Sequence, residues 1–266
     1  MPLTAAAEQE LRNILRQYRA AHAGVVAPTG QGKALEAWVL LKMAHTVRQS
    51  MSSTWSVSLR RGDGSPLLPG TSFDLPSQHA RIQASNPNAP CYVLLEQRQR
   101  PGLRLELRGS VQWMGRSGAK HEIDVSVMPA EIGEAISGHG GGYPHGLPIA
   151  AIECKDKVGI GPLDETRQTL ARLYDLTLVT QSTSHGPCRI FETQTNQRWG
   201  RWSSRYVAFF AKGTFGIVRA GTFQSGAGTL AMHYHIGRYA LAYTRSSSII
   251  DLQQNFRRSL SEIDRY

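Results

Sequence analysis

Three charged side chains, Asp124, Glu153 and Lys155, stand on two short apolar segments that the sequence predicts to be strands, 121–128 and 149–155. Side chains two positions apart on a strand point to the same face, so Glu153 and Lys155 are expected to lie side by side. Charged groups on otherwise buried strands are costly unless something compensates them. A metal ion held by Asp124 and Glu153 would do so.

Two carboxylates and an amine suit one kind of chemistry in particular. Mg²⁺ prefers oxygen ligands, typically one or two carboxylates with waters and substrate phosphate, and Mn²⁺ can substitute for it. Such an ion polarises a phosphoryl oxygen and lowers the pKa of a bound water, while Lys155 would orient that water and offset charge in the transition state. The pattern therefore predicts Mg²⁺-assisted phosphodiester hydrolysis. The alternative is a surface strand that carries an ordinary ion pair.

Asp124 and the Glu153-Cys154-Lys155 segment, followed by a helix and an apolar run over 162–180, resemble the PD-(D/E)xK nuclease superfamily. The resemblance implies a restriction-endonuclease-like α/β core, a mixed central sheet flanked by helices, in which the Asp and the Glu ligate the metal and the Lys assists the attacking water. In that family the preceding helix commonly supplies a further acid. Glu36 is the best-placed candidate here, and a solvent-facing helix residue is the alternative.

This sequence departs from the family pattern at three points. Ile123 stands where the eponymous Pro would precede Asp124, and the 29 positions between Asp124 and Glu153 imply an insertion, 129–148. Gln168 is followed four positions later by Arg172, so the Q-x-x-x-Y pattern of the RecB-like branch is absent and the subfamily stays open. The resemblance also implies an endonuclease, with DNA favoured over RNA, of the kind found as restriction or anti-phage defence effectors. The alternative function is a catalytically inactive nucleic-acid-binding module of the same fold, or a regulatory subunit.

Periodicity predicts the elements that position these residues. Apolar spacing predicts a helix over 33–50, and short β-rich runs predict strands over 54–128. A helix over 162–174, on which Arg172 is expected to face solvent, precedes a predicted strand over 176–180. We predict an N-terminal helical element over 1–32, a nuclease core over 33–185, and a C-terminal extension over 186–266 packed on the core.

Composition narrows the class of protein. The 266 residues contain three widely spaced cysteines, no CxxC pair and no apolar run of membrane-spanning length, so a reduced, cytoplasmic protein is expected. Residues 1–120 carry a net charge of +8, 121–185 carry −5 and 186–266 carry +7. Basic flanks around an acidic middle are typical of a protein that holds phosphates at its surface and a metal at its centre.

The segment 196–206 interleaves arginines with aromatic residues, a mixture that suits phosphate contact and base stacking. The candidate nucleic-acid-binding residues are Arg198, Trp199, Arg201, Trp202 and Arg205. The tryptophans are equally interpretable as core anchors. The partner expected from these features is nucleic acid, and a homo-oligomer or an activating protein partner is left open.

Overall fold

Six helices and twelve strands make up the part of the chain that the computed structural model describes, residues 4–17, 33–177, 188–192, 197–202 and 213–264. The helices are α1 Ala5–Gln17, α2 Lys33–Ser50, α3 Ala130–Gly138, α4 Leu163–Leu176, α5 Ser225–His233 and α6 Ser246–Asp264. The strands are β1 Trp55–Arg60, β2 Ile82–Gln83, β3 Tyr92–Gln97, β4 Arg104–Met114, β5 Lys120–Pro129, β6 Gly141–Gly142, β7 His145–Gly146, β8 Ala150–Lys155, β9 Cys188–Glu192, β10 Gln197–Trp202, β11 Thr214–Arg219 and β12 Gly237–Tyr239.

Ten of the described strands form one mixed sheet in the order β10-β9-β7-β4-β5-β8-β11-β12, with β3 also paired to β4 and β1 to β3. In the run β3-β4-β5-β8 each strand is antiparallel to its neighbour, whereas β11 is parallel to both β8 and β12. Parallel neighbours require a crossover connection, and α4 lies in the connection from β8 to β11. The expected α/β class, a mixed central sheet flanked by helices, is confirmed.

Helix α2 lies at the centre of the hydrophobic core. Ala, Leu, Met, Glu and Lys, which are strong helix formers, make up much of it. The residues expected to form its apolar face, among them Leu35, Val39 and Met43, are fully buried. The helix contacts α1, α6, β1 and β4, so most of its circumference is covered. A charged side chain in its first turn is therefore placed inside the molecule and not at its surface.

Strand β8 is buried on both faces up to its last residue. Its apolar run Ala150–Ile152 is typical of a central strand covered on both sides. On one side it pairs with β5, where Val125 lies opposite Ile152, and on the other with β11, where Ile217 lies opposite Glu153. The chemistry-bearing end of β8 is thus held between two neighbours.

The strand expected over 176–180 is wrong at its first residue. Leu176 is the last residue of α4, because it continues the buried helical face that includes Leu173, and Thr177 has an extended backbone. Residues 178–180 lie outside the described residues. The strand beside β8 is instead β11, from the segment expected to be an extension, so the boundary expected at 185/186 runs through the sheet.

The N-terminal element packs on the rest of the chain through α1. Its buried residues Ala7, Leu11 and Ile14 belong to the same hydrophobic cluster as α2 and the sheet. No helix within the described residues is both long enough and apolar enough to cross a membrane.

Candidate metal centre

Three buried carboxylates meet where α2, β5 and β8 come together. Glu36 is 8% exposed, Asp124 5% and Glu153 3%. The antiparallel pairing of Val125 with Ile152 brings the next residues along, Asp124 and Glu153, to neighbouring positions. The adjacent backbone then fixes Asp124 against β8, since the Cys154 N–H donates a hydrogen bond of 2.6 Å to its Oδ2.

Asp124 is surrounded by donors. His79 Nε2 lies 2.6 Å from Asp124 Oδ1, and Lys155 Nζ lies 4.0 Å from Oδ2. Burial alone would raise the pKa of Asp124, but the hydrogen bond to His79, the charge of Lys155 and the Cys154 N–H outweigh it, so the pKa is lowered. The side chain is therefore an ionised carboxylate in a place where water is largely excluded.

Glu36 is buried and not solvent-facing. Lys33 Nζ donates to both of its oxygens, at 2.9 and 2.8 Å, and Ser110 Oγ donates to Oε2 at 2.6 Å. Burial, and then the negative charge of Asp124, raises the pKa of Glu36 despite the opposing effect of these bonds. A cation bound between the Glu36 and Asp124 carboxylates would offset the repulsion between their negative charges.

Glu153 is held by two cations. Lys155 Nζ donates to its Oε2 at 2.8 Å. A single guanidinium nitrogen of Arg172, Nη1, lies 3.0 Å from Oε1 and 3.1 Å from Oε2. Arg172, expected to face solvent, instead turns inward and also donates to the Glu122 carbonyl. Burial would lower the pKa of Lys155, but the charges of Glu153 and Asp124 outweigh it and raise the pKa, which keeps the amine protonated.

One corner of this cluster has residues that could hold a divalent cation. Glu36, His79 and Asp124 each offer a ligand atom, and these atoms lie within 4.8 Å of one another. Two carboxylates suit Mg²⁺ and Mn²⁺, and the added imidazole favours Mn²⁺. Of the expected pair of ligands, Asp124 belongs to this group. Glu153 lies beside it, with both oxygens taken up by Lys155 and Arg172.

Sequence reasoning missed His79, Lys33 and Ser110. His79 lies in the long loop between β1 and β2, 45 positions before Asp124, and no periodicity marks it. Ser110 has a left-handed backbone, φ 55°, in the middle of β4. That conformation is unusual for a residue other than glycine, and at this position the Ser110 hydroxyl contacts both Lys33 and Glu36.

A cavity of about 270 Å³ adjoins the cluster. Its wall includes Ser110, which contacts Glu36, and both neighbours of His79, Gln78 and Ala80. Arg81 and Arg108 also line it and supply positive charge.

Four of the five candidate nucleic-acid-binding residues lie on β10, the last strand at one end of the described sheet. These are Arg198, Trp199, Arg201 and Trp202. Arg205 lies outside the described residues. The nucleic-acid role of this segment stays a prediction.

Comparison with protein-family models, with curated proteins and with solved structures finds no match for this chain. What the chain does must therefore be inferred from the arrangement of Glu36, His79, Asp124, Glu153 and Lys155.

Proposed function

We propose that this protein is a metal-dependent nuclease with a restriction-endonuclease-like core, acting on DNA in preference to RNA. The observation that carries the proposal is the convergence of Asp124, Glu153 and Lys155 from two adjacent strands, with Glu36 joining them from α2. A mixed sheet flanked by helices is the arrangement that the resemblance to the PD-(D/E)xK superfamily implies.

The residues divide into ligands and charge carriers. Glu36, His79 and Asp124 would hold Mg²⁺ or Mn²⁺, which when bound supplies a Lewis acid and a more acidic water. Lys155 keeps a protonated amine 4.0 Å from Asp124, where it can orient the attacking water and offset charge on the pentavalent phosphorus. Arg81 on the cavity wall would hold a neighbouring phosphate, whereas Arg108 is already ion-paired to Glu106.

The test is cleavage of plasmid, linear duplex, single-stranded DNA and RNA by the purified chain in Mg²⁺, in Mn²⁺ and in EDTA. We expect cleavage only with metal. Asp124→Asn, Glu153→Gln and Lys155→Met should each lower the rate by roughly 100-fold or more, because Asp124 would hold the metal, Glu153 positions the Lys155 ammonium and Lys155 would act in the transition state. Lys157→Met, an exposed lysine two residues further along, is the matched control and should stay within about twofold.

Two outcomes would refute the proposal. One is full activity in EDTA, and the other is wild-type cleavage by Lys155→Met.

One observation favours a second candidate, a nucleic-acid-binding module or regulatory subunit without catalysis. Lys33 pairs with Glu36, and Lys155 and Arg172 pair with Glu153, so two of the three acids are already neutralised by protein cations. Calorimetry separates the two candidates. A chain that binds DNA but neither Mg²⁺ nor Mn²⁺ is the module, and one that binds both DNA and metal is the nuclease.

A further inference from the structure

Lys33 is held as a fixed buried cation at the start of α2. Its side chain is 10% exposed, and its ammonium contacts three acceptors. These are the two Glu36 oxygens, at 2.9 and 2.8 Å, and Ser110 Oγ, at 2.8 Å. An ammonium has three N–H donors, so this set satisfies it completely. Both oxygens of Glu36 are therefore already bound to a positive charge.

Helix stability does not account for a lysine at this position. The first turn of a helix is its positive end, where acidic side chains such as Glu36 are favoured and cations are not. Burying an ammonium is also costly unless it is fully paired. Among the described residues, the Lys33 ammonium is paired with Glu36 and Ser110 alone, which ties its presence to the carboxylate cluster.

The positive and negative side chains of the cluster are equal in number without a metal ion. Three carboxylates, Glu36, Asp124 and Glu153, face three protein cations, Lys33, Lys155 and Arg172. The corner formed by Glu36, His79 and Asp124 offers three ligand atoms within 4.8 Å of one another, which is a ligand set for one ion. A second divalent ion bound to Glu36 on its other side would meet the Lys33 ammonium at contact distance, and the two like charges would repel.

We propose that Lys33 is a built-in cation that takes the place of a second metal ion on Glu36, so that the centre binds a single divalent cation and binds it weakly. The inference rests on the proposed metal centre. It assigns Lys33 a role in setting the number and affinity of bound ions, which is separate from the action of Lys155 on the attacking water.

The experiment is calorimetric titration of the full chain with Mn²⁺. The wild type should bind one ion. Lys33→Gln should bind Mn²⁺ at least tenfold more tightly, because a neighbouring positive charge is gone. Lys33→Arg keeps the charge and should bind as the wild type does. Lys42→Gln is the matched control, since Lys42 is also on α2 and also ion-paired, but to Glu10.

Several results would overturn the inference. One is two Mn²⁺ ions bound to the wild type, and another is a Mn²⁺ affinity of Lys33→Gln within threefold of the wild-type affinity. A third is a Mn²⁺ affinity of Lys33→Gln below that of the wild type, which would show that Lys33 only supports Glu36. If Lys33→Gln unfolds without metal, millimolar Mn²⁺ should refold it, because the ion replaces the missing charge. A chain that stays unfolded in Mn²⁺ contradicts the proposal.

Failure of this inference can be told apart from failure of the proposed function. Cleavage by the wild type with unchanged Mn²⁺ affinity in Lys33→Gln rejects only the role of Lys33. Tighter Mn²⁺ binding by Lys33→Gln, with no cleavage by the wild type, rejects only the nuclease. A wild type that neither binds Mn²⁺ nor cleaves rejects both.

Discussion

Asp124 shows how a buried carboxylate can remain charged. The side chain is 5% exposed, so its desolvation is costly. Three groups, His79 from the loop after β1 and the Cys154 N–H and Lys155 from the end of β8, reverse the effect and lower its pKa. Carboxylic acids that are both buried and ionised are concentrated at functional sites. In this protein three interactions stabilise the negative charge of Asp124.

His79 provides the sharpest test of which atoms bind the metal. We expect His79→Ala to weaken Mn²⁺ binding by roughly 10- to 100-fold, since it removes either a ligand or the hydrogen bond that orients Asp124. Cleavage at saturating Mn²⁺ should recover in part. Calorimetry and cleavage rates across a Mn²⁺ series measure the two effects. His139→Ala, an exposed histidine, is the control.

The contrary result is also informative. If His79→Ala binds Mn²⁺ normally but cleaves slowly at every concentration, His79 acts on the substrate or on Asp124 alone, and the three-residue group is not the metal site.

The sequence could predict only the part of the site that is local. Glu153 and Lys155 are two apart on one strand, and their contact follows from strand periodicity. The contacts of Lys33 with Ser110 and of His79 with Asp124 join residues 77 and 45 positions apart. Such contacts depend on how the loop after β1 and the centre of β4 fold back onto α2, which no local pattern encodes.

At the scale of elements, one carboxylate fastens the β4–β5 hairpin to the end of α4. Asp175 accepts hydrogen bonds from the Ser117 N–H at 3.1 Å and the Ser117 hydroxyl at 2.6 Å, and its Oδ2 lies 2.7 Å from His121 Nε2. Arg172, which binds Glu153, is three residues before Asp175 on the same helix. The fastening therefore helps to set where α4 presents its arginine to the centre.

This fastening should depend on pH. Burial raises the pKa of Asp175, but the bonds from Ser117 and His121 outweigh it and lower the pKa below its usual value of 3.8. A lowered native pKa stabilises the fold above the unfolded pKa, and the contribution is lost as the pH falls through the native value. We expect Asp175→Asn to cost about 1 kcal/mol at pH 7 and progressively less below about pH 4. Urea unfolding across pH measures this.

The control for that series is Asp251→Asn, an exposed acid on α6. It should change stability little at any pH. A cost for Asp175→Asn that is the same at pH 3 and pH 7 would show that the hydrogen bonds do not depend on the charge of the carboxylate.

The long helical pattern and most of the short strand patterns were predictable, and one short apolar run was not. The helix over 33–50 coincides with α2, and the segments around Asp124 and Glu153 are strands β5 and β8. The strand prediction over 176–180 was wrong at its first residue, because Leu176 lies three positions after Leu173 and shares its buried helical face. A five-residue apolar run fits either a strand or the end of a helix, and only packing decides between them.

At the scale of the molecule, the strand order gives the separation between the candidate metal centre and the predicted nucleic-acid-binding segment on β10. The strand β10 lies four places from β5 in the sheet order. At about 4.8 Å per strand, that separation is roughly 19 Å. A nucleic acid in contact with both would have to extend over several nucleotides, which suits a polymeric substrate better than a single nucleotide.

The C-terminal part of the chain supplies a buried anchor for the same sheet. Arg219 at the end of β11 is 2% exposed. Its guanidinium pairs with Glu165 on α4 and donates to the Gly159 carbonyl in the loop after β8. Arg219 therefore connects β11 with the loop after β8 and with α4, the helix that carries Arg172.

A chain ending at residue 185 should therefore not fold, although it contains Asp124, Glu153 and Lys155. Without β11, the edge of β8 and the apolar face beneath it would be exposed, and Glu165 would lose its partner. We expect no cooperative urea transition and no Mn²⁺ binding. In the full chain, Arg219→Met should cost about 3 kcal/mol or more, whereas Arg245→Met, at an exposed arginine, should cost little. Cooperative unfolding of the shortened chain would instead make residues 33–185 an autonomous domain, and the sheet continuity across β8 and β11 would be an addition to a core that is stable without it.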